Sequence, residues 1–150
     1  MARDRDVRNA LQVVLQNTGQ FDNVYVSGLP EDYGIGSDRV SIAVIEPVSS
    51  TERDDWDSET TGGILIQGTA QITLLARQPD PQLRDEAVEL LLEYTANTVN
   101  GQSLAGLTLP PWTRITAWRW LPATHPERRI QATFQYSYIV EGWGSLDETP

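Results

Sequence analysis

The chain has 150 residues, 39% of them hydrophobic, and sets 21 acids against 11 basic residues, all arginine, for a formal net charge of −10. That length suits one domain with a single core, and the absence of cysteine removes disulfide frameworks, thiolate zinc sites and cysteine nucleophiles together. The acidity argues against phosphate backbones and anionic membranes, and with no signal-like apolar core and no run near 18 apolar residues the expectation is a protein made in the cytoplasm, without a membrane partner.

From Asp4 to about Asn17, Val7, Ala10, Leu11, Val14 and Leu15 recur at helical spacing, and Asn17 and Gly19 supply a stop. Phe21 to Val26 reads as a short extended piece ending at Ser27-Gly28-Leu29-Pro30, followed by a loop through Gly34 and Gly36. The alternation of Val40, Ile42 and Val44 with their neighbours predicts a strand, and Pro47, which cannot donate to a ladder, is read as its end. From there to about residue 62 the chain is polar and aperiodic, which predicts a long acidic loop over 47–62. Residues 31 to 60 hold nine acids against Arg39 and Arg53, a local net of −7, so most of the charge excess falls on this stretch.

Ile64 to Arg77 alternates again, with Ile64, Ile66, Ile72 and Leu74 on one face and Gly68 as a bulge or bend, and should form a hairpin with the Val40 strand. Asp80 offers an N-cap and Pro81 a first helical position, after which Leu83, Ala87, Leu90, Leu91, Tyr94 and Thr98 mark an apolar face up to Asn100-Gly101. Two further strands, Arg114 to Leu121 and Arg128 to Trp143, are joined by the turn 122–127. The second places Ile130, Ala132, Phe134, Tyr136, Tyr138 and Val140 on one side, with Phe134, Tyr136 and Tyr138 expected against the second helix, and Gln131, Thr133, Gln135, Ser137 and Glu141 on the other. The sum is an α+β fold, a mainly antiparallel sheet with two helices packed on it, in a single domain.

Chemistry is sparse. A nucleophilic site needs Ser, Thr, Cys or Lys beside a base, yet the chain has neither Cys nor Lys, no Gly-x-Ser-x-Gly elbow, and one histidine, His125, set between Thr124 and Pro126 in a turn. The run Asp54-Asp55-Trp56-Asp57-Ser58-Glu59 superficially resembles a calcium loop, but Thr60 and Ile66 stand where an EF-hand wants Gly and Glu, so it reads as a solvated acidic loop. Catalytic, cofactor-binding and metal residues are therefore expected to be absent. Trp118 and Trp120 project to one side of a strand and Arg119 to the other, either as core or as a subunit interface. Asp54, Asp55, Trp56, Asp57, Glu59, Trp118, Arg119 and Trp120 are the candidate interface or lumen residues.

In element order and local wording the chain resembles the tail terminator, or tail-completion, proteins of long-tailed bacteriophages over nearly its whole length. The matching features are the opening helix with Val7-Arg8-Asn9-Ala10-Leu11, the strand from Val40 to Glu46, the acidic loop with Trp56, the strand from Gly63 to Arg77, the helix from Asp85 to Val99, and the closing Glu127-Arg128-Arg129-Ile130-Gln131-Ala132-Thr133-Phe134-Gln135-Tyr136. The resemblance implies a structural virion protein, made in the host and carried in the tail or neck. Such a subunit forms a homo-oligomeric, hexameric ring at the head-proximal end of the tail tube, ends tube polymerisation and joins the tail to the head connector. It implies the tail tube protein and a connector or completion protein as partners, DNA passing through the lumen without specific binding, and no cofactor. A head-completion or connector protein is the alternative within that class, and a small ligand-binding or enzymatic α+β domain, with its pocket between sheet and second helix, the alternative outside it.

Overall fold

The computed structural model describes residues 4–52 and 63–140. In chain order these form α1 (Asp4–Asn17), β1 (Asn23–Val26), β2 (Val40–Glu52), β3 (Ile64–Arg77), α2 (Pro81–Val99), a 3-10 turn at Pro110–Trp112, β4 (Arg114–Trp120) and β5 (Glu127–Val140). The five strands make one sheet in the order β1-β2-β3-β5-β4, antiparallel throughout except that β1 runs parallel to β2. The fold is α+β, as the alternation of apolar patterns predicts.

The two helices cover one face of this sheet. Val7, Leu11 and Leu15 of α1 and Val88, Leu91 and Val99 of α2 meet Ala43 and Ile45 of β2, Ala70, Ile72 and Leu74 of β3 and the even-numbered residues of β5 in one continuous core. Period 2 in the strands and period 3.6 in the helices bring these residues to a common plane. A smaller cluster sits on the opposite face, where Leu29 and Tyr33 of the β1–β2 connection pack with Tyr25 over Val40, Ile42, Val44 and Leu75. β2 and the end of β3 are thus covered on both sides. Farther along β3 and β5 the same face shows the partly exposed Thr69, Gln71, Thr73, Gln131, Thr133 and Gln135.

Four sequence expectations are corrected. β2 does not end at Pro47 but continues to Glu52, absorbing the proline with a register shift between Pro47 and Ser49; the loop expected over 47–62 is therefore strand as far as Glu52, and residues 53–62 lie outside the described residues. Proline is tolerated because it stands where β2 has passed the last residue paired with β1, so no ladder bond is lost. Gly68 makes no bulge: its register with Ser50 and Tyr136 is regular, and a Cβ there would overlap the Tyr136 ring. The glycine is required by that close approach.

The apolar face assigned to α2 is rotated. Arg84, Val88, Leu91, Thr95 and Val99 are buried, while Leu83, Leu90 and Tyr94 are exposed. Finally, the Tyr136 and Tyr138 hydroxyls reach α1, both donating to Asp4 Oδ1, at 2.7 and 3.2 Å, a contact the expected packing against α2 did not include. The start of α2 is as read: the Asp80 carboxylate accepts from the N–H groups of Gln82 (2.8 Å) and Leu83 (3.3 Å), with Pro81 entering the first turn.

Candidate interface site

Each candidate residue within the described part of the chain lies on β4, the strand at one end of the sheet. Trp118 and Trp120 pair with Ala132 and Ile130 and share their side of the sheet, yet they are not core: Trp118 is 59% exposed and Trp120 37%. The Arg128 guanidinium stacks over the Trp120 ring, 4.8 Å from its centroid. Arg119 faces the other way and donates from Nε to Gln131 Oε1 at 2.9 Å. The sequence reading of Trp118 and Trp120 as either core or interface is thus resolved against core. Asp54, Asp55, Trp56, Asp57 and Glu59 lie outside the described residues.

Between β4 and α2 runs an open groove of about 250 Å3, floored by Leu92, Ala96, Ile115 and Trp118 and rimmed by Glu89, Glu93 and Asn100. The space directly between α2 and the sheet is filled by Val88, Leu91, Thr95 and Val99, so the pocket expected there by the ligand-binding alternative is displaced to this edge. On the other flank of α2, Leu83 and Leu90 are nearly half-exposed and Tyr94 38%, one stripe at positions i, i+7 and i+11. A stripe of this kind, like the two exposed tryptophans on β4, is apolar surface of the type that marks contact with other molecules.

Two polar clusters escaped the sequence reading. At one end of the sheet, the Glu127 carboxylate accepts from Arg77 Nη2 (2.6 Å) and Nε (3.1 Å), from Tyr33 Oη (2.7 and 2.9 Å) and from Arg129 Nη2 (3.3 Å). Arg77 also donates to the carbonyls of Gly34 (2.8 Å) and Ser37 (3.1 Å), so the β1–β2 connection is tied to β3 and β5 through one ion pair. Burial acts to raise the Glu127 carboxyl, but the bonds from Arg77, Tyr33 and Arg129 outweigh it and hold it below its ordinary value of 4.5; the bond to Glu127 raises Arg77 in turn. At the other end, Asp4 accepts from Tyr136, Tyr138 and Ser50, and burial, followed by the bond to Asp4, pushes the Tyr136 phenol up. Both clusters are internally satisfied and join elements distant in sequence, which is the chemistry of fastening. No local pattern announces them, because their partners are up to 134 positions apart.

His125 sits in the β4–β5 turn, where its Nδ1 is 3.2 Å from Arg84 Nη1, and Arg84 also holds Asp85 at 2.9 Å. Among the described residues no group of three or more His, Asp or Glu side chains converges as a metal site would require.

No family model matches the chain. No curated protein matches it either. Among solved structures, a chain of the virion of a native gene transfer agent particle aligns with 89% of this chain and 92% of its own length, at 16% identity and a TM-score of 0.45. It is a likeness only; the functional reading stands on the chain's own residues. Among the described residues no helix is long and apolar enough to cross a membrane.

Proposed function

We propose that this chain is a structural, non-enzymatic subunit of a tailed-phage particle. In this reading it forms a hexameric ring on the head-proximal end of the tail tube, stops tube growth and meets the head connector. The observation that carries the reading is the apolar surface left open on an otherwise well-packed domain: Leu83, Leu90 and Tyr94 along α2, and Trp118 and Trp120 on β4. A subunit that assembles must keep such surface available, whereas a monomeric binding protein gathers its apolar groups in a concave pocket. The resemblance to tail terminators in element order points the same way. Ring closure through a heterologous contact requires two different patches on one subunit, and the exposed α2 stripe offers one of them.

The test is direct. The purified chain is mixed with tail tubes assembled from a tube protein and viewed by negative-stain electron microscopy. A ring of density on one end of each tube, with tube lengths frozen at the moment of addition, is the expected result. Tubes that continue to elongate, together with a chain that sediments as a monomer at every concentration, exclude the reading.

A further inference from the structure

The two ends of the sheet are finished differently, and the difference selects a partner. At β1 the outward main chain of Val24 is capped from within: Val24 N–H donates to Gln16 Oε1 at 3.1 Å, and Gln12 Nε2 donates to the Val24 carbonyl at 2.8 Å, so two side chains of α1 occupy the groups an added strand would need at that position. Where β2 extends beyond β1 its edge is blunted. The carbonyls of Ser41 and Ile45 accept from Asp22 and Ser27, so odd positions point outward, and the next outward position is Pro47, without an N–H and followed by the register shift.

Among the described residues β4 carries no such seal over its second half. Leu121 N–H donates inward to the Arg129 carbonyl at 3.0 Å, so by alternation Ala117 and Arg119 turn their main-chain groups to β5, and Trp118 and Trp120 turn theirs outward. Among the described residues only the first outward donor is taken, by Asn100 Oδ1, which accepts from Ile115 N–H at 2.7 Å. The open edge runs beside the groove under α2, with its apolar floor of Leu92, Ala96 and Trp118 and its two carboxylates, Glu89 and Glu93.

We infer that β4 is a docking edge for an extended segment of a different protein, one that adds antiparallel to Trp118–Trp120 and places an apolar side chain, followed two positions on by a lysine or arginine, into the groove beneath α2. Main-chain pairing supplies the attachment, while the alternate side chains select the sequence. A second copy of this chain does not fit. Its β1 edge is capped and its β2 edge blunted, and pairing β4 with β4 brings two Glu89–Glu93 rims to one groove and sets the two Arg119 side chains diagonally across the new pair. The inference does not depend on ring formation, because among the described residues of the lone subunit nothing covers the edge.

The test uses the full chain and three synthetic octapeptides: Thr-Val-Thr-Lys repeated twice, the same sequence with Glu for Lys, and the lysine peptide N-methylated on the residues that would face β4. Binding is read from tryptophan emission, and location from amide exchange. The lysine peptide should bind at least ten-fold more tightly than the other two and should slow exchange at the amides of Trp118 and Trp120. Glu89→Lys with Glu93→Lys should reverse the preference between the lysine and glutamate peptides. Because a chain of net charge −10 attracts cations anywhere on its surface, the methylated peptide decides: if it binds as well as its parent, or if protection appears away from Trp118 and Trp120, the docking edge is refuted. Dimerisation of the free chain that Trp118→Glu abolishes refutes the choice of partner.

Discussion

Glu127 shows how one side chain makes the fold depend on pH. Its carboxyl is held below the ordinary 4.5 in the folded chain, so it favours folding above the unfolded value and loses that contribution as pH falls through the lower folded one. Wild type should therefore be more stable than Glu127→Gln in denaturant melts at pH 7, with the gap closing as pH falls below about 4; a gap that persists at pH 2 would place the effect in packing. Phe134 is fully buried between β5 neighbours, its ring 5.7 Å from that of Tyr136, and Phe134→Ala should cost about 3–5 kcal/mol. A loss under about 1 kcal/mol would show a site that collapses without penalty. Gly68→Ala tests the close approach in the opposite sense: the added methyl must displace the Tyr136 ring, for a loss of about 1–3 kcal/mol by thermal melt. The even-numbered face of β5 was legible from alternation alone. The Tyr33–Arg77–Glu127–Arg129 cluster was not, because the register that brings Arg77 opposite Glu127 is a property of the paired sheet.

At the level of elements, both helices and all five strands were visible as changes of period, and the errors have physical causes. Proline was read as a stop, a rule that holds where the lost N–H is needed; beyond β1 it is not needed, and β2 runs on. In α2 apolar residues occupy two faces, so periodicity alone assigned Leu83, Leu90 and Tyr94 inward, while the buried set includes Arg84 and Thr95, which a hydrophobic pattern passes over. Thr95 is accommodated because its hydroxyl donates to the Leu91 carbonyl at 2.7 Å. The misplaced stripe is informative in itself, since apolar residues that the core does not claim are available to a neighbour. Leu90→Glu should leave the melting curve within about 0.5 kcal/mol of wild type, and should shift the sedimentation of any assembly toward the single subunit. A variant that unfolds, or one that assembles as before, would remove the stripe from the interface.

For the molecule as a whole the charge is as uneven as the surface. Replacing Asp54, Asp55, Asp57 and Glu59 by their amides removes four negative charges from the most acidic stretch of sequence. If that stretch faces the path of DNA, the variant should retain duplex DNA in a low-salt binding assay where wild type does not, and the retention should fade as ionic strength rises past about 0.15 M; equal behaviour of the two proteins would put the acidic stretch elsewhere. The glutamine caps on β1 have a consequence for solubility. A sheet open at both ends can add strands without limit, as fibrils do, whereas a sheet that Gln12 and Gln16 have closed at one end is monovalent: it can receive one strand and offers none in return. Strand addition to this subunit is therefore a terminating event. Removing both caps with Gln12→Ala and Gln16→Ala should free the Val24 main chain, read as faster amide exchange at Val24.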